Sequence, residues 1–138
     1  MRITAVHATW LRAPIPAEHA HVSDFGRNDT FNMCLVEIET DAGLVGLGEA
    51  KATVGNLGSY AAMVTLIREE MAPALIGRDP RDVTAVWETL YNATRAHYTA
   101  REERTFPTIS RHGLAMSAIS SINIAYWDLL GRSLNQPV

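Results

Sequence analysis

Hydrophobic positions in the first fifty residues tend toward a period of two, and those after residue 59 follow the three-and-four spacing of helices. Residues 2–12 alternate Ile3, Ala5, His7, Thr9 and Leu11 against Arg2, Thr4, Val6, Ala8 and Trp10, a weak strand pattern. Phe31 to Thr40 is clearer: Cys34, Val36 and Ile38 share one side, and Leu35, Glu37 and Glu39 the other, predicting a strand with one wet face. Thr40-Asp41-Ala42-Gly43 supplies a turn, because Asp can bond its own backbone and Gly accepts a positive φ. Leu44 to Glu49 returns as the partner strand, with Gly46 and Gly48 on one face, where a helix or another backbone can come close. Pro14 to Thr30, with two prolines, His19, His21 and Gly26, has no periodicity and predicts a long functional or mobile loop.

Three helices are expected in the remainder. Tyr60, Met63, Val64, Ile67 and Met71 form an amphipathic stripe, which Pro73 and Gly77 are expected to end. Asp79-Pro80 should open the second helix as N-cap and first-turn proline, with Val83, Val86, Trp87, Leu90, Tyr91 and Thr94 buried. A charged stretch, Arg101 to Arg104, and Pro107 then lead to a third helix from about Ser110 to Leu130. Its buried face would carry Leu114, Ala118, Ile119, Ile122, Tyr126 and Leu129, and Gly131 would stop it. Strands followed by helices predict an α+β fold: a three-stranded antiparallel meander followed by three or more helices packed on one face.

Composition narrows the class. A chain of 138 residues can bury a core without disulfides, and its 47% hydrophobic and 20% charged content is ordinary for a globular domain. Twelve Lys and Arg against fifteen Asp and Glu give 12 − 15 = −3, which argues against nucleic acid or an anionic membrane as partner. The single cysteine, Cys34, excludes a disulfide framework or a cysteine zinc cluster within the chain. The start is too polar for a signal peptide, and no apolar run reaches the roughly 20 residues of a membrane helix. A cytoplasmic protein is expected. The closing Leu134 to Val138 has the look of a linker's beginning, as in a fragment of a longer chain.

No complete catalytic set is visible. The glycines at 43, 46 and 48 match neither phosphate-binding pattern and are better explained as a turn and a packing face. His19 and His21 would share a face if they lay on a strand, but no third metal ligand is near; contact with a polar substrate is the other option. No elbow motif exposes a serine, and Cys34 sits in an apolar strand where a thiol is inert. Glu69-Glu70 and Glu102-Glu103 would diverge by about 100° on a helix, too far to share a proton. Trp10, Trp87 and Trp127 are expected in the core. Glu49 to Gly55 leaves a strand end as a charged loop, suited either to binding or to a structural contact.

Four ordered segments carry a family resemblance. Thr40 to Glu49 resembles the hairpin of the N-terminal capping domain in the mandelate racemase/muconate lactonizing enzyme branch of the enolase superfamily. Ala72 to Pro80, Ala118 to Gly131 and Pro137-Val138 are similar to later parts of the same domain. Asn123 stands where an aspartate is expected and Tyr126 where leucine is usual; both are structural departures.

The resemblance implies a cap, residues 1–132, with 133–138 beginning a linker to a TIM barrel that lies outside this chain. The barrel would bind Mg²⁺ and carry the acid/base residues that take a proton α to a carboxylate, so neither catalytic residues nor metal ligands are expected in these 138 residues. The cap would contribute shape and dryness. His19, His21, Phe25 and Arg27 are lid candidates on the first loop, and Lys51 and Thr53 on the second. Phe25 would wall off solvent, Arg27 or Lys51 would meet a carboxylate or hydroxyl, and the histidines would bond sugar hydroxyls. Such a polar, cationic lid points to an acid-sugar dehydratase, with a racemase, epimerase or cycloisomerase of the same family as alternative. A stand-alone oligomerisation or binding module is the rival from another class. Family members often self-associate, so a homo-oligomer is also expected.

Overall fold

The computed structural model of the chain describes residues 1–24, 26–52, 57–92 and 112–138. Three long strands, β1 (Ile3–Pro14), β4 (Thr30–Thr40) and β5 (Val45–Ala50), form an antiparallel sheet in that order. A small hairpin of β2 (His21–Ser23) and β3 (Gly26–Asn28) lies between β1 and β4. The helices are α1 (Leu57–Leu66), a π-helical turn (Ile67–Met71), α2 (Ala72–Leu75), α3 (Val83–Asn92) and α4 (Leu114–Leu134). This is the expected α+β meander with helices on one face, the core lying between. Val36, Ile38, Met63, Ile67, Leu75, Ile119, Ile122 and Leu129 are all buried there. No helix among the described residues is long and apolar enough to cross a membrane.

The weak periodicity of β1 has a structural cause. Its register against β4 slips between Ile3 and Ala5, so Ile3 and Ala8, five residues apart, both face the core. β1 also runs two residues past the expected end, pairing Pro14 with Thr30. The turn between β4 and β5 is closed by Thr40, whose hydroxyl donates to the Leu44 carbonyl at 3.0 Å and accepts the Leu44 amide at 3.2 Å. Asp41 instead reaches across to accept the Arg2 amide at 2.7 Å. Gly43, at φ 74°, takes the left-handed position.

Gly46 and Gly48 face α4, as their pattern suggested. A Cβ on Gly46 would come within 2.5 Å of Leu129 Cγ, and one on Gly48 would overlap the Ser121 carbonyl oxygen. On the open edge of β5, the Leu47 amide donates to Asp128 Oδ2 at 2.8 Å, and the same oxygen accepts Arg132 Nε at 2.9 Å. A helix side chain thereby takes the place of a further strand.

Three helix boundaries differ from expectation. Pro73 lies inside the helical run rather than ending it. Because proline offers no N–H and crowds the carbonyl four residues back, the preceding turn widens, and the Ala72 amide reaches back five residues to Ile67. The run ends at Gly77, φ 80°. Asp79-Pro80 forms a separate turn in which Asp79 Oδ1 accepts the Arg81 amide at 3.0 Å; α3 follows from Asp82, whose carbonyl accepts the Val86 amide. Gly131 does not stop α4. It is buried one turn before the end because the tail folds back: a Cβ there would lie 2.7 Å from Val138 Cγ2. Asn135, left-handed at φ 52°, is the cap. Thr94, the Arg101–Arg104 stretch, Pro107 and Ser110 lie outside the described residues.

Candidate functional site

Both candidate lids leave the sheet at one end. The register pairs Pro14 with Thr30 and Cys34 with Ala50, so the Pro14–Thr30 segment and the residues after Ala50 emerge side by side. The first segment is a structured hairpin rather than an irregular loop, and the Ile15 amide closes its root by donating to the Asp29 carbonyl at 2.8 Å. Within it His21 opposes Asn28, and Val22 opposes Arg27. Opposed residues share a face and neighbours alternate, so His21 and Arg27 point to opposite faces. Both are exposed, as is His19.

His19 closes a 3₁₀ turn, Ala17–His19, in front of the hairpin. The two histidines are therefore not alternate residues of one strand, so the shared strand face expected for them is not formed. Among the described residues no group of three His, Cys, Asp or Glu side chains could hold a metal ion.

Lys51 stands just past β5 with its Nζ 5.4 Å from the centre of the Phe31 ring. That exposed aromatic, at the start of β4, gives the ammonium a fixed resting place at the hairpin end of the sheet. Glu49 is exposed on the outer face, opposite Leu35. Phe25 and Thr53 lie outside the described residues. Two residues escaped the sequence pattern: Phe31, which read as an ordinary strand position, and Val22, which is 66% exposed beside Arg27. An apolar side chain flanked by a turn and a cation was the available signal for Val22.

The remaining candidates resolve structurally. Cys34 is fully buried; burial pushes its thiol pKa up, against a weaker opposing pull from Arg68. Trp10 and Trp87 pack partly buried against the core, but Trp127 is 45% exposed, contrary to expectation. With Leu47, Ile124 and Val138 it lines an open groove of about 720 Å³, edged by Asp128 and Arg132.

An antiparallel sheet with helices packed on one face defines an α+β domain, and the family follows from comparison. The chain belongs to the family described as mandelate racemase / muconate lactonizing enzyme, N-terminal domain, which matches residues 3–138. It is 37% identical over 134 residues to the D-galactarolactone cycloisomerase of Agrobacterium fabrum, covering 96% of this chain and 29% of that protein. It is 32% identical over 140 residues to the cis-3-hydroxy-L-proline dehydratase of Roseibium aggregatum, covering 100% of this chain and 33% of that one. Its fold superposes with a TM-score of 0.70 on a racemase from Streptomyces coelicolor A3(2) with bound magnesium, at 31% identity, covering 95% and 32% of the two chains. The chain thus spans about a third of the length of these relatives.

Proposed function

We propose that residues 1–132 are the substrate-capping domain of an enzyme that removes a proton from the carbon beside a carboxylate, acting as an acid-sugar dehydratase. Residues 133–138 would begin the connection to a TIM-barrel domain, their first two completing α4. The acid/base residues and any Mg²⁺ would belong to that barrel. Racemisation and cycloisomerisation, the activities named for two of the relatives, are the alternatives within this reading. We further propose a cytoplasmic, self-associating enzyme.

The observation that carries the reading is the convergence of two cation-bearing segments on one end of the sheet. Lys51 rests on Phe31, and Arg27 shares a hairpin face with the exposed Val22. A surface holding both an apolar side chain and a guanidinium suits closure over a carboxylate or polyol: Val22 excludes water while Arg27 donates. Of the hairpin residues, Val22 and Arg27 would therefore face the substrate, and His21 would face away. Phe25 and Thr53 remain lid candidates, and His19 would meet a hydroxyl at the hairpin's entrance.

The test is to assay the full-length protein with Mg²⁺ against a panel of acid sugars and of racemisable carboxylates. Dehydration of an acid sugar, with KM raised about tenfold or more by Arg27→Ala or Lys51→Ala at unchanged thermal stability, is the expected result. Turnover confined to racemisation would replace the dehydratase assignment. Unchanged kinetics in both variants would remove the lid assignment.

A further inference from the structure

Three largely buried side chains link the roots of the two lids. Asn32 donates from Nδ2 to the Thr30 carbonyl at 3.2 Å, where the hairpin segment rejoins the sheet. Its Oδ1 accepts Trp10 Nε1 at 2.9 Å. The indole of Trp10 stacks on Tyr60, with ring centroids 6.0 Å apart and planes 11° from parallel. The Tyr60 hydroxyl accepts the Ala52 amide at 3.1 Å and donates to the Ala52 carbonyl at 3.3 Å. Ala52 follows Lys51 directly and precedes Thr53, so the chain of contacts runs from one lid root to the other through β4, β1 and α1.

These are expensive positions for polar groups. Asn32 is 9% exposed and Tyr60 4%, in surroundings where apolar side chains could pack with no hydrogen bonds to satisfy. Matched apolar replacements of a bonded pair can be nearly neutral in stability, whereas a satisfied polar network admits few arrangements. What this network specifies is where Thr30 and Ala52 lie relative to one another. We propose that Asn32, Trp10 and Tyr60 are positioning residues that couple the roots of the two lids, so that a displacement at Thr30 is transmitted to Ala52 and the reverse. The functional meaning rests on the lid reading above; the mechanical coupling does not.

Amide hydrogen exchange on the full-length protein separates the two. Tyr60→Phe keeps the stacked ring and deletes both bonds to Ala52, so the Ala52 amide should exchange about tenfold faster. Coupling requires a distant response as well: the Ile15 amide at the hairpin root should accelerate about fivefold, while α4 amides from Ala125 to Leu129 stay unchanged. Trp10→Phe removes the donor to Asn32 and should produce the mirror result, disturbing the nearby hairpin root, read at Ile15, and Ala52 at a distance. Should Trp10→Phe fail to fold, Tyr60→Phe alone decides. A response confined to Ala52, or an equal acceleration of the α4 amides, overturns the coupling. Distant responses without any kinetic effect of Tyr60→Phe, Arg27→Ala or Lys51→Ala would uphold the coupling and reject the lid reading. Kinetic effects of Arg27→Ala and Lys51→Ala with local responses only would do the reverse.

Discussion

At the scale of single residues, two buried titratable groups shape the response to alkali. Tyr126 is fully buried in α4, and its hydroxyl finds no hydrogen-bond partner among the described residues. Burial raises its pKa, and Arg78 only partly offsets this. Leaving such a hydroxyl dry costs on the order of 1 kcal/mol or more. Tyr126→Phe should therefore stabilise the protein by about 1 kcal/mol in urea unfolding, with an unchanged m-value. Cys34 is likewise pushed up by burial. Both groups hold their protons more tightly folded than unfolded, so their contribution is fully present below the unfolded pKa values. It is lost as pH rises, first past about 8.5 for the thiol and then past about 10 for the phenol. Cys34→Ala should flatten the first decline, and native Cys34 should resist iodoacetamide at pH 8 until the protein is unfolded, as followed by mass spectrometry of its peptide.

At the scale of elements, β5 and α4 approach so closely that their packing depends on glycine. Gly48 admits the Ser121 carbonyl where any Cβ would sit, and neither partner is the mobile end of a side chain. Gly48→Ala must push strand and helix apart, at a cost of about 3 kcal/mol or outright failure to fold, measurable by denaturant titration. The same two elements are clamped from the edge by Asp128, through the Leu47 amide and Arg132. The π-helical turn follows a comparable logic, with Pro73 accommodated by loosening the turn before it.

At the scale of the whole molecule, the apolar groove of Leu47, Ile124, Trp127 and Val138 calls for a covering surface. Under the capping reading the proposed barrel domain would cover it. Trp127 fluorescence should then be blue-shifted in the full-length protein relative to a Met1–Val138 fragment. Ile124→Glu should lower the full-length protein's melting temperature by several degrees, on the order of a 1–2 kcal/mol loss. An Ile124→Glu variant as stable as the parent would leave the groove as open surface.

Local chemistry alone determined that three long strands precede the helices, the wet and dry sides of β4, and the core stripes of α1 and α4, because side-chain periodicity is a property of the backbone conformation itself. The same holds for Gly46 and Gly48, whose shared face follows from a period of two. Tertiary structure decided what depends on residues far apart in the chain. The bulge after Ile3 reverses the face of β1 because Arg78 and Asp41 anchor its start, through the Ile3 amide at 3.0 Å and the Arg2 amide at 2.7 Å. Gly131 is a contact for the returning tail, which no pattern around it discloses. The hairpin's pairing register separates His21 from Arg27, and Phe31 meets Lys51 only once β4 and β5 align. Asn32, Trp10 and Tyr60 meet for the same reason: a hydrogen bond between residues 22 apart and a ring stack between residues 50 apart exist only after the sheet and α1 have packed.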